Sequence, residues 1–301
     1  MATALVSALL AAVLAAGAPA GAEAPPALLA ALREVPAGGA RAEAATRPLL
    51  GAPYLSSPLG EGFGRDPDPR FRLDAFDCMT FVETALALAS AGTVEEAERA
   101  LDDIRYSGAP AYERRNHEVL SQWIPANLAK GWIEEVTAAA AGPLARREEK
   151  VYTPASWEAV RRAGRAIPGL PRERLPVGAY AVEVVPLADV AAALPALPRT
   201  AVVFVVRADA PDRATRITHA ALLVTAPDGS RRVRHATSSR GSPRLIEEGV
   251  TGFVRRESSA WPSWSIVGLA FFGVPDRSAR VAALGAGPGP AEDRGDEVPS
   301  R

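Results

Sequence analysis

The sequence predicts an α+β domain in which helices come first along the chain and an antiparallel sheet follows. The chain has 301 residues, of which 48% are hydrophobic and 23% charged, enough for one sizeable core. Apolar residues recur at helical spacing through the first half of the chain, and short β-rich runs occur in the second half. Two of these runs, ITHAALLVTA and RRVRHATSS, flank Pro227-Asp228-Gly229, a strong turn signal. Helices followed by strands favour α+β over alternating βαβ units.

The N-terminal run MATALVSALLAAVLAAGAPAGAEA is apolar and has the length of a signal peptide, with Ala20-Gly21-Ala22 as the best cleavage site. No basic region precedes it, so a membrane anchor or a buried helix stays open as an alternative. We expect residues 1–22 to be a signal peptide of an exported protein, periplasmic or secreted. No later run approaches about 18 apolar residues, so no membrane span is expected in the mature chain.

The domain itself is assigned to residues 23–277, and its elements follow in order. Helical patterns cover Pro26–Leu50, the segment after Asp77, Val94–Ile104 and Tyr112–Val136. Residues 137–180 are charged and Pro-rich, which predicts a surface excursion. Strand-like runs are AYAVEVVPL, TAVVFVVRAD, the two hairpin runs and SIVGLAFFGV. Residues 278–301 are assigned to a disordered tail, because the chain is polar and Gly/Pro-rich from Gly285 onward.

The charge balance and the spacing of ligand-type residues exclude several classes of function. With 34 basic and 35 acidic residues the net charge is -1, so no global field recruits nucleic acid or an anionic membrane. The three histidines and the one cysteine are widely spaced and lack the close pairs typical of zinc sites. No phosphate-binding glycine motif is present. The sequence therefore predicts neither a metal nor a cofactor.

The only cysteine, Cys78, lies in DAFDCMTFVETALALA. A lone thiol forms no intramolecular disulfide, so Cys78 is either an inert buried residue or a reactive one. Asp77 is a good N-cap, and the apolar residues behind it recur at helical spacing, which places Cys78 in the first turn of a helix. The positive end of a helix favours a thiolate, and its free N–H groups can hold an oxyanion. This placement favours a nucleophile.

Two histidines fall on the predicted hairpin, one on each strand. If the register centres on Asp228, His235 lies opposite a residue two positions from His219. Both rings then project from one face as diagonal neighbours, where one imidazole can orient the other. A cysteine nucleophile needs such a base to take its proton and return it to the leaving amine.

These motifs resemble the NlpC-type, papain-like cysteine peptidases that cut bacterial cell-wall peptides. PYLSSPLGEG, RFRLDAFDCMTFVETALALA, IRYSGAPAYERRNHEVLSQWIPANL and ITHAALLV are similar, in this order, to the N-acetylmuramoyl-L-alanine amidase-like branch. The resemblance spans roughly residues 53–274. It implies a papain-like α+β fold in which the nucleophile helix packs on a central antiparallel sheet, with helical insertions.

The resemblance also implies roles for individual residues. Cys78 is expected to be the nucleophile, His219 the base and His235 the residue that orients the base. Tyr54, Asp77, Arg115, His117 and Trp123 are expected near the substrate or the oxyanion. For Trp123 and His117 an amphipathic helix with a buried tryptophan is the alternative explanation, and for Tyr54 it is simple packing.

The predicted function is hydrolysis of an amide bond in peptidoglycan, or in a muropeptide, by an exported cysteine amidase or peptidase. Two alternatives stay open: a catalytically silent cell-wall binding module, and an acyltransferase that uses the same Cys/His site. The sequence leaves the scissile bond and the oligomeric state undetermined.

Overall fold

The computed structural model describes residues 24–239 and 243–286. The predicted signal peptide lies outside these residues. The helices are α1 (Ala24–Ala31), α2 (Gly39–Thr46), α3 (Cys78–Leu88), α4 (Val94–Arg105), α5 (Ile124–Lys130), α6 (Thr137–Ala141), α7 (Pro154–Arg162), α8 (Val190–Ala193), α9 (Val250–Ala260) and α10 (Ser278–Gly285). A π-helical turn, Val119–Trp123, leads into α5. The strands are β1 (Glu134–Glu135), β2 (Arg146–Tyr152), β3 (Gly178–Val184), β4 (Ala201–Arg207), β5 (Ile217–Thr225), β6 (Arg231–Thr237), β7 (Arg244–Gly249) and β8 (Ile266–Gly273).

Six strands form the central sheet in the order β1-β8-β4-β5-β6-β7, and every neighbouring pair is antiparallel. Strands β2 and β3 form a separate two-stranded sheet. The prediction of helices followed by a central antiparallel sheet is confirmed. Among the described residues, no helix is both long and apolar enough to cross a bilayer.

Helices cover both faces of the central sheet, because the side chains of its middle strands are apolar on both sides. In β4, Val202, Phe204 and Val206 belong to the hydrophobic cluster that contains α3, whereas Val203 and Val205 belong to the cluster on the other face. Alternate residues of a strand point to opposite faces, so a continuous apolar run such as AVVFVV fits a strand buried on both sides. The sheet is thereby fixed between two helical layers.

Helix α3 begins where the sequence predicts. The Asp77 carboxylate accepts a hydrogen bond from the Thr80 N–H at 2.7 Å, and the Thr80 hydroxyl accepts one from the Asp77 N–H at 3.0 Å. This reciprocal capping box fixes the first turn. The helix is almost entirely buried and packs on β5 and β6. Its N-terminus, with Cys78, is therefore held rigidly against the sheet.

The segment 137–180 is largely the predicted excursion, but it carries structure of its own. Strand β2, which the sequence analysis did not predict, pairs with β3, and Tyr152, Trp157 and Val160 form a small separate hydrophobic cluster. Tyr152 and Trp157 stack with ring centroids 5.5 Å apart. This segment thus has a small hydrophobic cluster of its own, separate from the main core.

Two boundaries differ from the predictions. Pro26–Leu50 forms two helices rather than one, separated by Gly38 with φ of 84°, a left-handed conformation that favours glycine. The tail prediction is wrong for residues 278–286, because α10 starts at Ser278 and buries Val281 in the main core. The rest of the predicted tail lies outside the described residues.

Candidate active site

Cys78 is the first residue of α3 and is partly exposed. It packs against the hydrophobic cluster on the α3 face of the sheet. The backbone of Ala220, the residue after His219, lies close enough to the thiol to lower its pKa. The helix start and strand β5 thus bring Cys78 next to the segment that carries His219.

The hairpin register is the one predicted from the turn. Thr225 pairs with Arg231 and Leu222 with Arg234, so the hairpin is centred on Asp228. His219 Nε2 and His235 Nδ1 are 2.8 Å apart, within hydrogen-bond distance, and the two rings are nearly perpendicular. The predicted pairing of the two imidazoles is confirmed.

A β-bulge lies beside His219. Val205 of β4 pairs with His219 but Val206 pairs with Ile217, so Thr218 is an extra residue. Bulges re-aim side chains at the point where they occur. The Thr218 hydroxyl accepts a hydrogen bond at 2.9 Å from Arg207, which stabilises the irregular segment.

Glu248 and Arg256 continue the hydrogen-bonded chain that begins with His219 and His235. Glu248 Oε1 lies 3.0 Å from His235 Nε2, and Arg256 Nε donates to the same oxygen at 2.8 Å. A carboxylate at Nε2 keeps the proton of neutral His235 on that nitrogen, so that Nδ1 is free to accept from His219. Burial acts to raise the pKa of Glu248, but hydrogen bonds from Arg256 and His235 outweigh it and the pKa is below its usual value.

Glu257 is a buried carboxyl group beside His219. Its Oε1 lies 3.9 Å from His219 Nε2, and its backbone carbonyl accepts a hydrogen bond from the buried Arg207 at 2.7 Å. Burial raises the pKa of Glu257 to about 7, against the opposing effects of Arg207 and Arg256. Arg207 also donates to Trp264, so this one guanidinium ties the end of α9 to the sheet.

A cavity of about 950 Å³ opens over these groups, and its walls are polar as well as apolar. Its lining includes Tyr54, Cys78, Thr218, His219, Glu248 and Glu257. A thiol, an imidazole and two carboxyl groups in one cleft form the kind of constellation that general-base and nucleophilic catalysis use.

The structure reverses the expected effect of the helix start on the thiol. Burial, and then the negative charge of Asp77, raise the pKa of Cys78 to about 12, whereas backbone hydrogen bonds from Ala220 and Met79 only partly oppose them. Burial, and then His235, lower the pKa of His219 well below its usual value. Both shifts favour a neutral thiol and a neutral imidazole at rest.

These shifts predict the pH dependence of alkylation. Only the thiolate reacts, so the rate of iodoacetamide labelling of Cys78 should rise about tenfold per pH unit from neutrality to beyond pH 9. Asp77→Asn should speed labelling at each pH, because it removes a negative neighbour while asparagine still caps the helix. Mass spectrometry of the single cysteine reads the rate directly. A plateau below the ordinary cysteine pKa of about 8.5 would contradict the shift.

Tyr54 and Asp77 lie beside Cys78. Tyr54 lines the cavity, and burial raises the pKa of its hydroxyl, with smaller contributions from Cys78 and Asp77. Asp77 Oδ2 accepts from the Ser57 N–H at 3.0 Å while Oδ1 caps α3. In this structure Asp77 therefore acts through the helix and the thiol, rather than as an open ligand for substrate.

Arg115 and His117 are not among the residues that line the cavity. The Arg115 guanidinium is paired with Glu61 and with Asp66, at 2.8 Å from Asp66 Oδ2. His117 Nε2 lies 2.7 Å from the Tyr112 carbonyl oxygen. Their positions do not support the substrate contacts that the resemblance implied.

The position of Trp123, outside the residues that line the cavity, does not support the substrate contact that the resemblance implied. Its side chain is 1% exposed, and its indole N–H donates to Glu83 at 2.9 Å. The ring packs edge-on against Phe204 in the sheet. This burial fits the alternative explanation, a buried tryptophan of an amphipathic segment.

Three side chains of types that bind metals lie close together in the cleft. His219, His235 and Glu257 each place one ligand atom within 4.8 Å of the others. Spacing along the sequence does not reveal this group, because the hairpin and α9 bring together residues that are far apart in the chain. No element was assigned to residues 243–264, and the only signals there were the acidic and basic residues of EEG and RRESS.

Comparisons with known proteins give the family and the fold of the chain. A family model described as AmiA-like, N-acetylmuramoyl-L-alanine amidase-like, matches residues 44–260. No curated protein matches the chain. Protein LPG0564 from Legionella pneumophila is similar in structure, with a TM-score of 0.64 and 20% identity over 78% of this chain and 88% of its own.

An N-acetylmuramoyl-L-alanine amidase from Bacteroides uniformis is also similar, with a TM-score of 0.58 and 17% identity over 79% of this chain and 99% of its own. At these identities the likeness concerns the fold. The family match covers most of the chain and includes Cys78, His219, His235 and Glu257. The chain therefore belongs to the N-acetylmuramoyl-L-alanine amidase-like family.

Proposed function

We propose that this protein is an exported cysteine amidase that hydrolyses an amide bond of peptidoglycan through an acyl-enzyme on Cys78. We further propose that its α+β fold is the papain-like fold of NlpC-type enzymes. The amidase-like family and the name of the Bacteroides uniformis neighbour support the substrate class. The apolar run of residues 1–22 supports export.

One observation carries the mechanism: the 2.8 Å contact between His219 Nε2 and His235 Nδ1, in a cleft that Cys78 and His219 both line. With Nε2 engaged by His235, the free lone pair of His219 is on Nδ1. Nδ1 is therefore the nitrogen that serves the thiol. His235, held by Glu248, fixes this tautomer in the way that the third member of a catalytic triad does.

The pKa shifts define the order of events in the first step. A raised thiol pKa and a lowered imidazole pKa disfavour a resting thiolate–imidazolium pair. His219 Nδ1 therefore takes the proton as Cys78 Sγ attacks the carbonyl carbon, and the new S–C bond forms in the same step. Once formed, the imidazolium is stabilised by His235 and Glu248.

The remaining steps use groups of the same cleft. The first N–H groups of α3 have no intrahelical acceptor, and the N–H of Cys78 holds the oxyanion, assisted by the Tyr54 hydroxyl. Collapse of the intermediate breaks the C–N bond as His219 returns the proton to the leaving amine. Water, deprotonated by His219, then attacks the thioester, releases the carboxylic acid and regenerates the thiol.

The direct test is to incubate the wild-type protein with purified muropeptides and to analyse the products by mass spectrometry, with Cys78→Ala as the blank. Cleavage of the muramyl amide gives a peptide-free sugar and an intact stem peptide. Acid quenching during turnover should trap the acyl group on Cys78 as an adduct of the same mass as the muramyl acyl fragment. Identical product profiles for the two proteins would reject the proposal.

Glu248 acts through His235, so its replacement should affect kcat rather than KM. Glu248→Gln should lower kcat on the order of 10- to 100-fold, a part of what general base catalysis contributes. The acidic limb of the pH–rate profile should move to lower pH, because the His219 imidazolium loses the negative charge that Glu248 supplies through His235. Steady-state kinetics on a muropeptide provide the measurement.

Glu247→Gln is the matched control. Glu247 is the adjacent carboxylate of β7, but it pairs with Arg234 at 2.7 Å rather than with His235. Its replacement should leave kcat within about twofold, as expected for a side chain outside a catalytic network. Equal losses in the two variants would mean that Glu248 is not a positioning residue.

A further inference from the structure

Three donor atoms of the cleft have a geometry close to that of a metal site. His219 Nε2 lies 2.8 Å from His235 Nδ1 and 3.9 Å from Glu257 Oε1, and all three atoms lie within 4.8 Å of one another. A tetrahedral zinc ion with bonds of about 2.0–2.2 Å separates its ligand atoms by about 3.4 Å. To reach that arrangement, the two histidine nitrogens would move apart by about 0.6 Å and Glu257 Oε1 would move about 0.5 Å closer to His219 Nε2.

The type of donor selects the class of ion. Two imidazole nitrogens with one carboxylate oxygen suit zinc and its first-row neighbours, whereas calcium and magnesium require mainly oxygen ligands. Three protein ligands leave a fourth position for water. The cavity lined by His219 and Glu257 gives an ion a path to this position.

The surroundings of His235 resemble those of a metal-bound histidine. Its Nε2 lies 3.0 Å from Glu248 Oε1, which keeps the ring proton on Nε2 and turns the Nδ1 lone pair toward the cluster. Such a carboxylate–histidine contact is the usual support of a zinc ligand, since it fixes the tautomer and raises the basicity. Arg256 in turn fixes Glu248.

We propose that His219, His235 and Glu257 form a binding site for a divalent transition-metal ion, best matched by Zn²⁺, and that the bound ion inhibits the enzyme. Catalysis and metal binding need opposite tautomers of His219. As a base, His219 carries its proton on Nε2 and keeps Nδ1 free; as a ligand through Nε2, it carries the proton on Nδ1. A bound ion therefore removes the base that Cys78 needs.

Isothermal titration calorimetry with Zn²⁺ on the full chain tests the site without any substrate. The wild type should bind one Zn²⁺ per chain. Glu257→Gln should weaken binding at least about tenfold, and Glu248→Gln about 10- to 100-fold, the usual effect of removing a carboxylate that supports a histidine ligand. Absorption of the Co²⁺-substituted protein should show the intense visible bands of a four-coordinate site.

The control is Glu247→Gln, which removes a charge from the same strand but no ligand or ligand support. It should bind Zn²⁺ like the wild type. Equal affinity of the wild type and Glu257→Gln, or no binding by the wild type, would overturn the proposal. Because His235 is fully buried, the test uses the two glutamate variants, whose side chains line the cavity.

The inhibition rests on the proposed function, and the binding does not. Where the wild type cleaves muropeptides, Zn²⁺ should abolish turnover with a midpoint equal to its dissociation constant, and a chelator should restore it. Full turnover by the zinc-saturated enzyme would overturn the inhibitory role. If no turnover occurs with or without metal, the amidase proposal fails, and calorimetry alone still decides whether the ion binds at this site.

Discussion

His219→Gln is expected to lower kcat for muropeptide cleavage roughly 10⁴-fold, the scale of losing a general base that also protonates the leaving group. Glutamine can still donate to His235 Nδ1 but offers no basic nitrogen to Cys78. The measurement is single-turnover cleavage followed by mass spectrometry. A loss of less than about tenfold would mean that another group deprotonates the thiol.

His117→Gln is the matched control, because it makes the same chemical change at a histidine outside the cavity-lining set. The His117 ring contacts Tyr112 and does not face the cleft. Both kcat and KM should stay within about twofold of the wild type. A large rise in KM would restore the substrate contact that the resemblance implied for His117.

Trp123→Ala is expected to lower the free energy of unfolding by about 3–5 kcal/mol, the range for truncating a buried aromatic residue. The change leaves a cavity beside Phe204 and removes the hydrogen bond to Glu83. Burial already raises the pKa of Glu83, so loss of the indole donor should raise it further. Thermal unfolding followed by circular dichroism should show a decrease in Tm of roughly 6–20 °C.

Trp261→Ala is the control for this change in size. Trp261 is 47% exposed and lies at the rim of the cavity. Its replacement should cost less than about 1 kcal/mol, as for most surface substitutions. If Trp123→Ala unfolds no more readily than Trp261→Ala, the packing role assigned to Trp123 is incorrect.

Much of the fold was predictable, because its signals are local. The apolar runs of β4, β5 and β8 and the Pro227-Asp228-Gly229 turn were found from residue type and period alone. Strand β2, in contrast, reads RREEKVY, a charged sequence with no strand period. It forms a strand because β3 supplies its hydrogen-bonding partner, which no local pattern shows.

The candidate site also has residues that the sequence predicted and residues that it did not. Cys78 follows from Asp77 and the apolar residues of α3, and the histidine pair follows from the hairpin register. Glu248, Arg256 and Glu257 were missed because charged residues in an unassigned segment look like solvated surface. The pairing of β7 with β6 places Glu248 beside His235, and the packing of α9 on these strands brings Arg256 and Glu257 near the histidines.

The sequence by itself determined where helix α3 begins, which two histidines share a hairpin face, and the order of helices before strands. These features depend on capping, periodicity and turn chemistry, which act over a few residues. The tertiary structure decided the protonation preference of Cys78, the burial of Trp123 and the grouping of His219, His235 and Glu257. Those properties depend on desolvation and on contacts between distant segments, and neither exists until the chain has folded.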